Sequence, residues 1–281
     1  MLAMLDMERI PKRGIMGRFG QRKENGISVR RGNAFGSPIL YITLGIESNI
    51  KPRTLEKLFS SAEKLMSGQG VDRVCFSDDF EFAGHFIGNV FKEPDLTPPY
   101  EAVAGQAAEV LPGAGGTAFI TASKLGGVAH GTLMGLCKNY RYVLTDIDTV
   151  GAEAFRNIQR RLGISIVDRP LPDWILGADA AVFLGARREE TRLSYKCAVF
   201  SVNRAALSGV RLYKLVTGLD VSLPGGTELP EGFPKEPVIS YALERLTLPQ
   251  NKLTLRRIKV SDVVGRGEAG LFLQLDKTAE L

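Results

Sequence analysis

An α/β fold built on a doubly wound, mostly parallel sheet is what this sequence predicts, with a less regular, strand-rich part towards the C-terminus. Three observations carry that expectation. Four short apolar runs, TAFITA (117–122), RYVLTDI (141–147), ISIVDRP (164–170) and DAAVFLG (179–185), follow one another within about 70 residues. Helix-like or turn-rich stretches separate them, as parallel strands require. The first run leads through a glycine-rich segment into a helical pattern, the arrangement of a Rossmann-like sheet.

The elements then follow in order. SPILYITLG (37–45) is apolar and β-branched, and reads as a buried strand. In residues 51–70, Leu55, Leu58, Phe59, Ala62, Leu65 and Met66 recur at helical spacing, with Pro52 near the start and Gly68 near the end. VDRVCFS (71–77) reads as strand, and 78–99 as a long loop or short irregular helices. In that loop Phe80, Phe82, Phe86 and Phe91 suggest a small core of its own around His85. Residues 100–111 are helix-like, PGAGG (112–116) is a turn, and SKLGGVAHG (123–131) is a glycine-rich loop before the helix body LMGLCKNY. GAEAFRNIQRRLG (151–163) has an amphipathic helix pattern. YKCAVFSV (195–202) and VRLYKLVTG (210–218) read as strands, residues 222–237 as a Pro/Gly-rich loop, and EPVISYALERL as a short helix. The RREETR run (187–192) reads as a helix start with mixed charge. In KLTLRRIKV the apolar phase slips by one between Arg256 and Arg257, the mark of a β-bulge.

Composition sets the limits. With 281 residues, 44% hydrophobic and 24% charged, the chain has enough apolar residues for a sizeable core. Disordered, collagen-like and disulfide-rich classes are excluded. Cys75, Cys137 and Cys197 form no CxxC and sit in apolar runs, which fits core packing in a reducing cytoplasm. The first residues carry Asp6 and Glu8 where a secretory signal needs its apolar stretch. Residues 110–137 carry Lys124 as their single charge, but Pro112 and seven glycines argue against a membrane span. Eight of the 36 Lys/Arg but only three of the 31 Asp/Glu fall in residues 1–36, so this stretch holds the whole net charge of +5. It reads as a basic, flexible arm before an α/β domain over 37–281, itself open to subdivision near 95–113. Such an arm suits nucleic acid or an acidic partner.

Chemistry concentrates after the first of the four runs. In an open parallel sheet, ligands bind outside the carboxyl ends of the strands, and backbone N–H groups at a helix start hold phosphate. Gly126, Gly127 and Gly131 permit close backbone approach, Ser123 or Thr132 donates a hydrogen bond, and Lys124 supplies charge. Asp146, twenty residues after Gly126 at the end of the next strand, is placed to accept from ribose hydroxyls. The implied ligand is a nucleotide, a dinucleotide such as NAD(P), or S-adenosylmethionine. The spacing is G-G-x-x-x-G rather than G-x-G-x-x-G. GAGG at 113–116 has similar letters but precedes its strand. His130 falls inside the same glycine segment.

A second pattern overlaps the first. An apolar strand ending in Asp146-x-Asp148-x-Val150 resembles, over some ten residues, the first motif of the haloacid-dehalogenase-like phosphohydrolases. The resemblance implies Asp146 as nucleophile, Asp148 as general acid/base and a Mg²⁺ ion beside them. The acidic pair that completes that family's metal site has no counterpart after the motif. A scaffold without catalysis, acting through its basic arm, is the third reading. GxxxxGK[ST], HExxH and GxSxG are all absent, which removes Walker-type, zincin and α/β-hydrolase sites.

Overall fold

The computed structural model describes residues 1–10, 26–88, 90–147, 152–185, 190–202, 204–207, 209–222 and 233–266. The chain forms two compact units. Unit 1 comprises Met1–Leu96 and Gly225–Pro249, and unit 2 comprises Thr97–Pro224 and Gln250–Leu281.

Unit 1 opens with β1 (Leu2–Ile10), β2 (Gly26–Ala34) and β3 (Ser37–Glu47), then α1 (Pro52–Gly68), β4 (Arg73–Phe76) and the single turn α2 (Ala83–Phe86). The sheet runs β2-β3-β1-β4, with β1 parallel to β3 and β4 and β2 antiparallel to β3. Ala3, Leu5, Leu40, Ile42 and Leu44 face Leu58, Phe59, Ala62 and Met66 of α1. Because successive side chains alternate between faces, Leu2, Met4, Ile39 and Cys75 point the other way.

Within the stretch expected to be an arm, Leu2–Ile10 and Gly26–Ala34 are strands of this sheet. Leu2, Ala3, Met4 and Leu5 are fully buried, and their strand lies inside the sheet rather than at its margin. Arg9 pairs with Glu81 at 2.5 Å and Arg31 donates to Gln69. Lys12, Arg13, Arg18, Arg22 and Lys23 fall outside the described residues. Residues 78–91 do fold onto a small aromatic core. Phe80 stacks on Phe76 at 5.1 Å, and Phe86 meets Phe59 at 5.3 Å. His85 lies 4.6 Å from the Phe59 ring with its Nε2 3.4 Å from Glu63.

Unit 2 continues with α3 (Thr97–Val110), β5 (Thr117–Ala122), α4 (Gly127–Asn139), β6 (Tyr142–Ile147), α5 (Ala152–Leu162), β7 (Ser165–Asp168), α6 (Pro172–Leu176) and β8 (Ala180–Phe183). After these come β9 (Thr191–Arg192), β10 (Ala198–Ser201), a 3₁₀ turn at Arg204–Leu207 and β11 (Val210–Ser222). The chain then returns to unit 1, where α7 (Lys235–Glu244) covers the second sheet face with Val238 and Tyr241. It ends its described part in unit 2 with β12 (Thr254–Arg266).

The large sheet runs β7-β6-β5-β8-β10-β11-β12. The six strands from β7 to β11 are parallel, and β12 pairs antiparallel with β11. Ala118, Phe119 and Ile120 of β5 and all four residues of β8 have no exposed surface. Strands covered on both faces lose the alternation of half-buried ones, which is why these read as unbroken apolar runs. At the other edge, Asp220 pairs with Arg257 but Val221 with Leu255. Arg256 is therefore the extra residue of a bulge, at the phase slip seen in the sequence. The RREETR run ends in β9, not in a helix: Thr191 and Arg192 pair with Val210 and Arg211, and Glu190 holds Arg211 at 2.6 Å. Arg187, Arg188 and Glu189 lie outside the described residues.

Candidate functional site

Number the six parallel strands on the main path of this sheet in chain order, leaving aside the two-residue β9 that pairs with β11, and the order reads 3-2-1-4-5-6, that of dinucleotide-binding sheets. The sense of progression reverses between β5 and β8, which are paired from Ala118–Ala180 to Thr121–Phe183. The chain leaves β5 towards β6 on one side and leaves β8 towards β10 on the other. A crevice opens between such diverging connections, outside the carboxyl ends of the two strands.

The loop after β5 is Ser123–Gly126. The Gly126 N–H donates to the Lys124 carbonyl at 3.0 Å, a tight reversal. Gly126 itself is extended (φ −85°, ψ −175°) and caps α4, accepting the His130 N–H at 2.8 Å. No side chain caps this helix. A helix start leaves its first N–H groups without an intrahelical acceptor, here those of Gly127, Val128 and Ala129, and they carry the positive end of the helix dipole. Lys124 and Ser123 are exposed, and the Lys124 Cε lies 4.0 Å from where a Gly126 Cβ would stand. At Gly127 a Cβ would meet nothing within 4 Å, so open space lies over the first turn. Across the crevice, a Cβ at Gly185 would stand 3.5 Å from the Ser123 nitrogen, so the loop after β8 comes against the loop after β5.

Two sequence-derived candidates have other duties. The glycine loop is shorter than expected, because α4 begins at Gly127 and includes Gly131. A Cβ at Gly105 of α3 would stand 3.2 Å from the Gly131 carbonyl oxygen, and a Cβ at Gly135 would collide with the Gly105 carbonyl. Gly131 therefore sits in a seam where α3 and α4 touch backbone to backbone. Thr132 is fully buried and donates to the Val128 carbonyl at 2.8 Å, so it is no phosphate donor. The glycines that this approach requires are Gly105 and Gly135, and sequence reasoning did not single out either.

Asp146 lies in β6 opposite Thr121 and is half-buried. One strand further out, Asp168 closes β7 opposite Thr145 and is exposed. Asp148 lies outside the described residues. No group of three His, Cys, Asp or Glu side chains among the described residues is arranged to hold a metal ion.

The GAGG turn belongs to the opposite, amino end of the sheet. The Thr117 N–H donates to the Asp179 carboxylate at 2.9 Å, and the Tyr140 hydroxyl donates to the Leu111 and Pro112 carbonyls at 2.9 and 2.7 Å. Burial, with Asp179 and Cys197 nearby, raises the Tyr140 pKa. Gly113 (φ +97°) and Gly116 both pack on the Asp179 side chain. All three thiols are buried. Burial pushes each up to about 12, with Glu93 adding to the effect at Cys75 and Asp179 at Cys197.

No protein-family model and no curated protein matches this chain. Solved structures with partial likeness include a probable ornithine cyclodeaminase from Bordetella pertussis Tohama I, 14% identical over 39% of this chain and 40% of that one, with a TM-score of 0.27. The iminosuccinate reductase of Paracoccus denitrificans, solved in complex with NAD⁺, is 13% identical over 38% and 36%, with a TM-score of 0.26. The L-tryptophan dehydrogenase of Nostoc punctiforme is 13% identical over 59% and 51%, also at 0.26. The matched stretch is thus less than two thirds of the length of each of these proteins. The fold of unit 2 is established by its own strand order: it is a Rossmann-like α/β fold.

Proposed function

We propose that unit 2 binds a dinucleotide cofactor at the carboxyl ends of β5 and β8. The observation that carries this is the uncapped start of α4 at the reversal point of a 3-2-1-4-5-6 sheet. The N–H groups of Gly127, Val128 and Ala129 hold the diphosphate, Lys124 neutralises part of its charge, and Ser123 donates from the loop. Asp146 accepts from a ribose hydroxyl. S-adenosylmethionine would fit the ribose contact but has no diphosphate for the helix start to hold. Three unpaired thiols fit the reducing cytoplasm as the place of work.

Thermal unfolding with NAD⁺, NADP⁺, S-adenosylmethionine and ATP tests the reading. A ligand at 100 times its Kd adds about 2.7 kcal/mol, which raises the Tm of a domain this size by roughly a few degrees. Gly127→Asp is the informative variant. The space over Gly127 accommodates the side chain, and a carboxylate at a helix N-terminus suits the dipole. The variant should therefore unfold at or above the parental temperature yet lose the dinucleotide shift through repulsion of the phosphates. Equal shifts in both proteins would reject the α4 site. A shift with S-adenosylmethionine alone would replace a dinucleotide by a methyl donor.

A further inference from the structure

We infer that the chain pairs with a second copy of itself through a groove between α6 and β9, each copy's Trp174 entering the groove of the other. Pro172, Asp173, Ile175 and Leu176 line this groove from α6, and Glu190, Thr191 and Arg192 line it from β9 and the residue before it. Its volume is about 280 Å³. A cavity of about 150 Å³ already holds a benzene, so there is room for one indole ring. Exposed apolar side chains concentrate here: Leu171, Trp174 and Leu176 are all largely open to solvent. Trp174, 52% exposed, is the only tryptophan in the protein. With about 100° of rotation per helical residue, Trp174 and Leu176 stand on opposite flanks of α6, with Asp173 outermost between them. Ile175 faces the core. The projecting ring and the recess thus flank one point. A two-fold contact requires this, because a single patch must complement itself.

Charge selects a second copy over other occupants. The exposed side chains of Asp173 and Arg192 line the same groove, yet neither has a hydrogen bond or ion pair among the described residues. Glu190, by contrast, is held by Arg211 at 2.6 Å. Across a two-fold axis Arg192 meets the partner's Asp173, and the same pair forms twice. A wholly acidic or wholly basic partner would satisfy one of these charges and repel the other.

Sedimentation equilibrium of the full chain, with tryptophan emission recorded at each concentration, tests this directly, because Trp174 alone supplies that emission. The mass should rise from one chain to two across the micromolar range, the strength of a small interface, and the emission should move to the blue in parallel. Asp173→Arg and Arg192→Asp should each keep the chain monomeric over that range. The two together should restore the dimer, since exchanging the charges leaves the pairing intact. Thermal unfolding shows whether each variant is folded, and if one is not, the concentration dependence of the parent protein decides alone. A dimer whose emission does not move uses another surface, and a monomer at every concentration leaves the groove to a different partner. Either result would overturn the inference.

Discussion

Leu246 follows α7 with a φ of +57° and 89% of its surface exposed, a left-handed residue with nothing to pack against. The next residue, Thr247, returns its N–H to the Ala242 carbonyl at 3.0 Å, the bond pattern that closes a helix on a left-handed residue. Glycine adopts that conformation without steric cost, so Leu246→Gly should stabilise unit 1 by about 0.5–1 kcal/mol, read as a higher denaturant midpoint. A lower midpoint would mean that Leu246 is held by something other than its backbone. At Asp179 the opposite sign is expected. Its carboxylate satisfies the Thr117 N–H, and Asp179→Ala should cost about 1 kcal/mol in urea unfolding. Asp179→Asn, which keeps an acceptor, should cost less.

At the level of elements, the seam of α3 and α4 depends on the absence of side chains. Gly135→Ala would drive a methyl group into the Gly105 carbonyl, and overpacking of this kind costs about 1–3 kcal/mol. Gly131→Ala, whose Cβ would meet nothing within 4 Å, should be tolerated. If the two substitutions cost the same, the helices do not touch along this line.

The same elements show what the sequence could and could not tell. β5 to β8 were legible because buried parallel strands are unbroken apolar runs flanked by turns. Their order was not, since pairing joins residues far apart in sequence. β1 escaped notice because MLAML is short and the charged DMERI follows it at once. β2 escaped because an edge strand carrying Arg30 and Arg31 on exposed positions reads as a solvated basic stretch. Ser123, Lys124 and Gly126 lie between β5 and α4, and Gly127 opens α4, a connection the apolar run and the glycines after it made legible. Gly131 and Thr132 were assigned to the ligand because the glycines concealed where the helix began. Nothing local could show that Gly105 lies against it.

On the scale of the molecule, the three thiols tie stability to pH. Each stays protonated in the fold up to about 12, against an ordinary value of 9.0. Above pH 9 the unfolded chain releases thiol protons that the folded chain retains, so unfolding is favoured as pH rises from there towards 12. The raised Tyr41 and Tyr140 act in the same direction. Denaturation midpoints should therefore hold steady from neutrality to about pH 8.5, where thiol ionisation sets in, and fall beyond it. An aromatic disulfide reagent at pH 8 should label the thiols only on unfolding, and rapid labelling of the native protein would contradict their burial.

Unit 1 is discontinuous in the chain, and synthesis proceeds in one direction. When Leu96 has left the ribosome, the four strands and α1 are available, but α7 begins only at Lys235. Throughout that interval the nascent sheet presents Leu2, Met4, Ile39 and Cys75 with no helix over them, and the whole of β5 to β11 must emerge first. A naked apolar face of this kind is what chaperones hold and what aggregates when they are lacking. Released chains ending at residue 224 should accordingly bind hydrophobic dyes and precipitate, and a synthetic α7 peptide supplied in trans should suppress both.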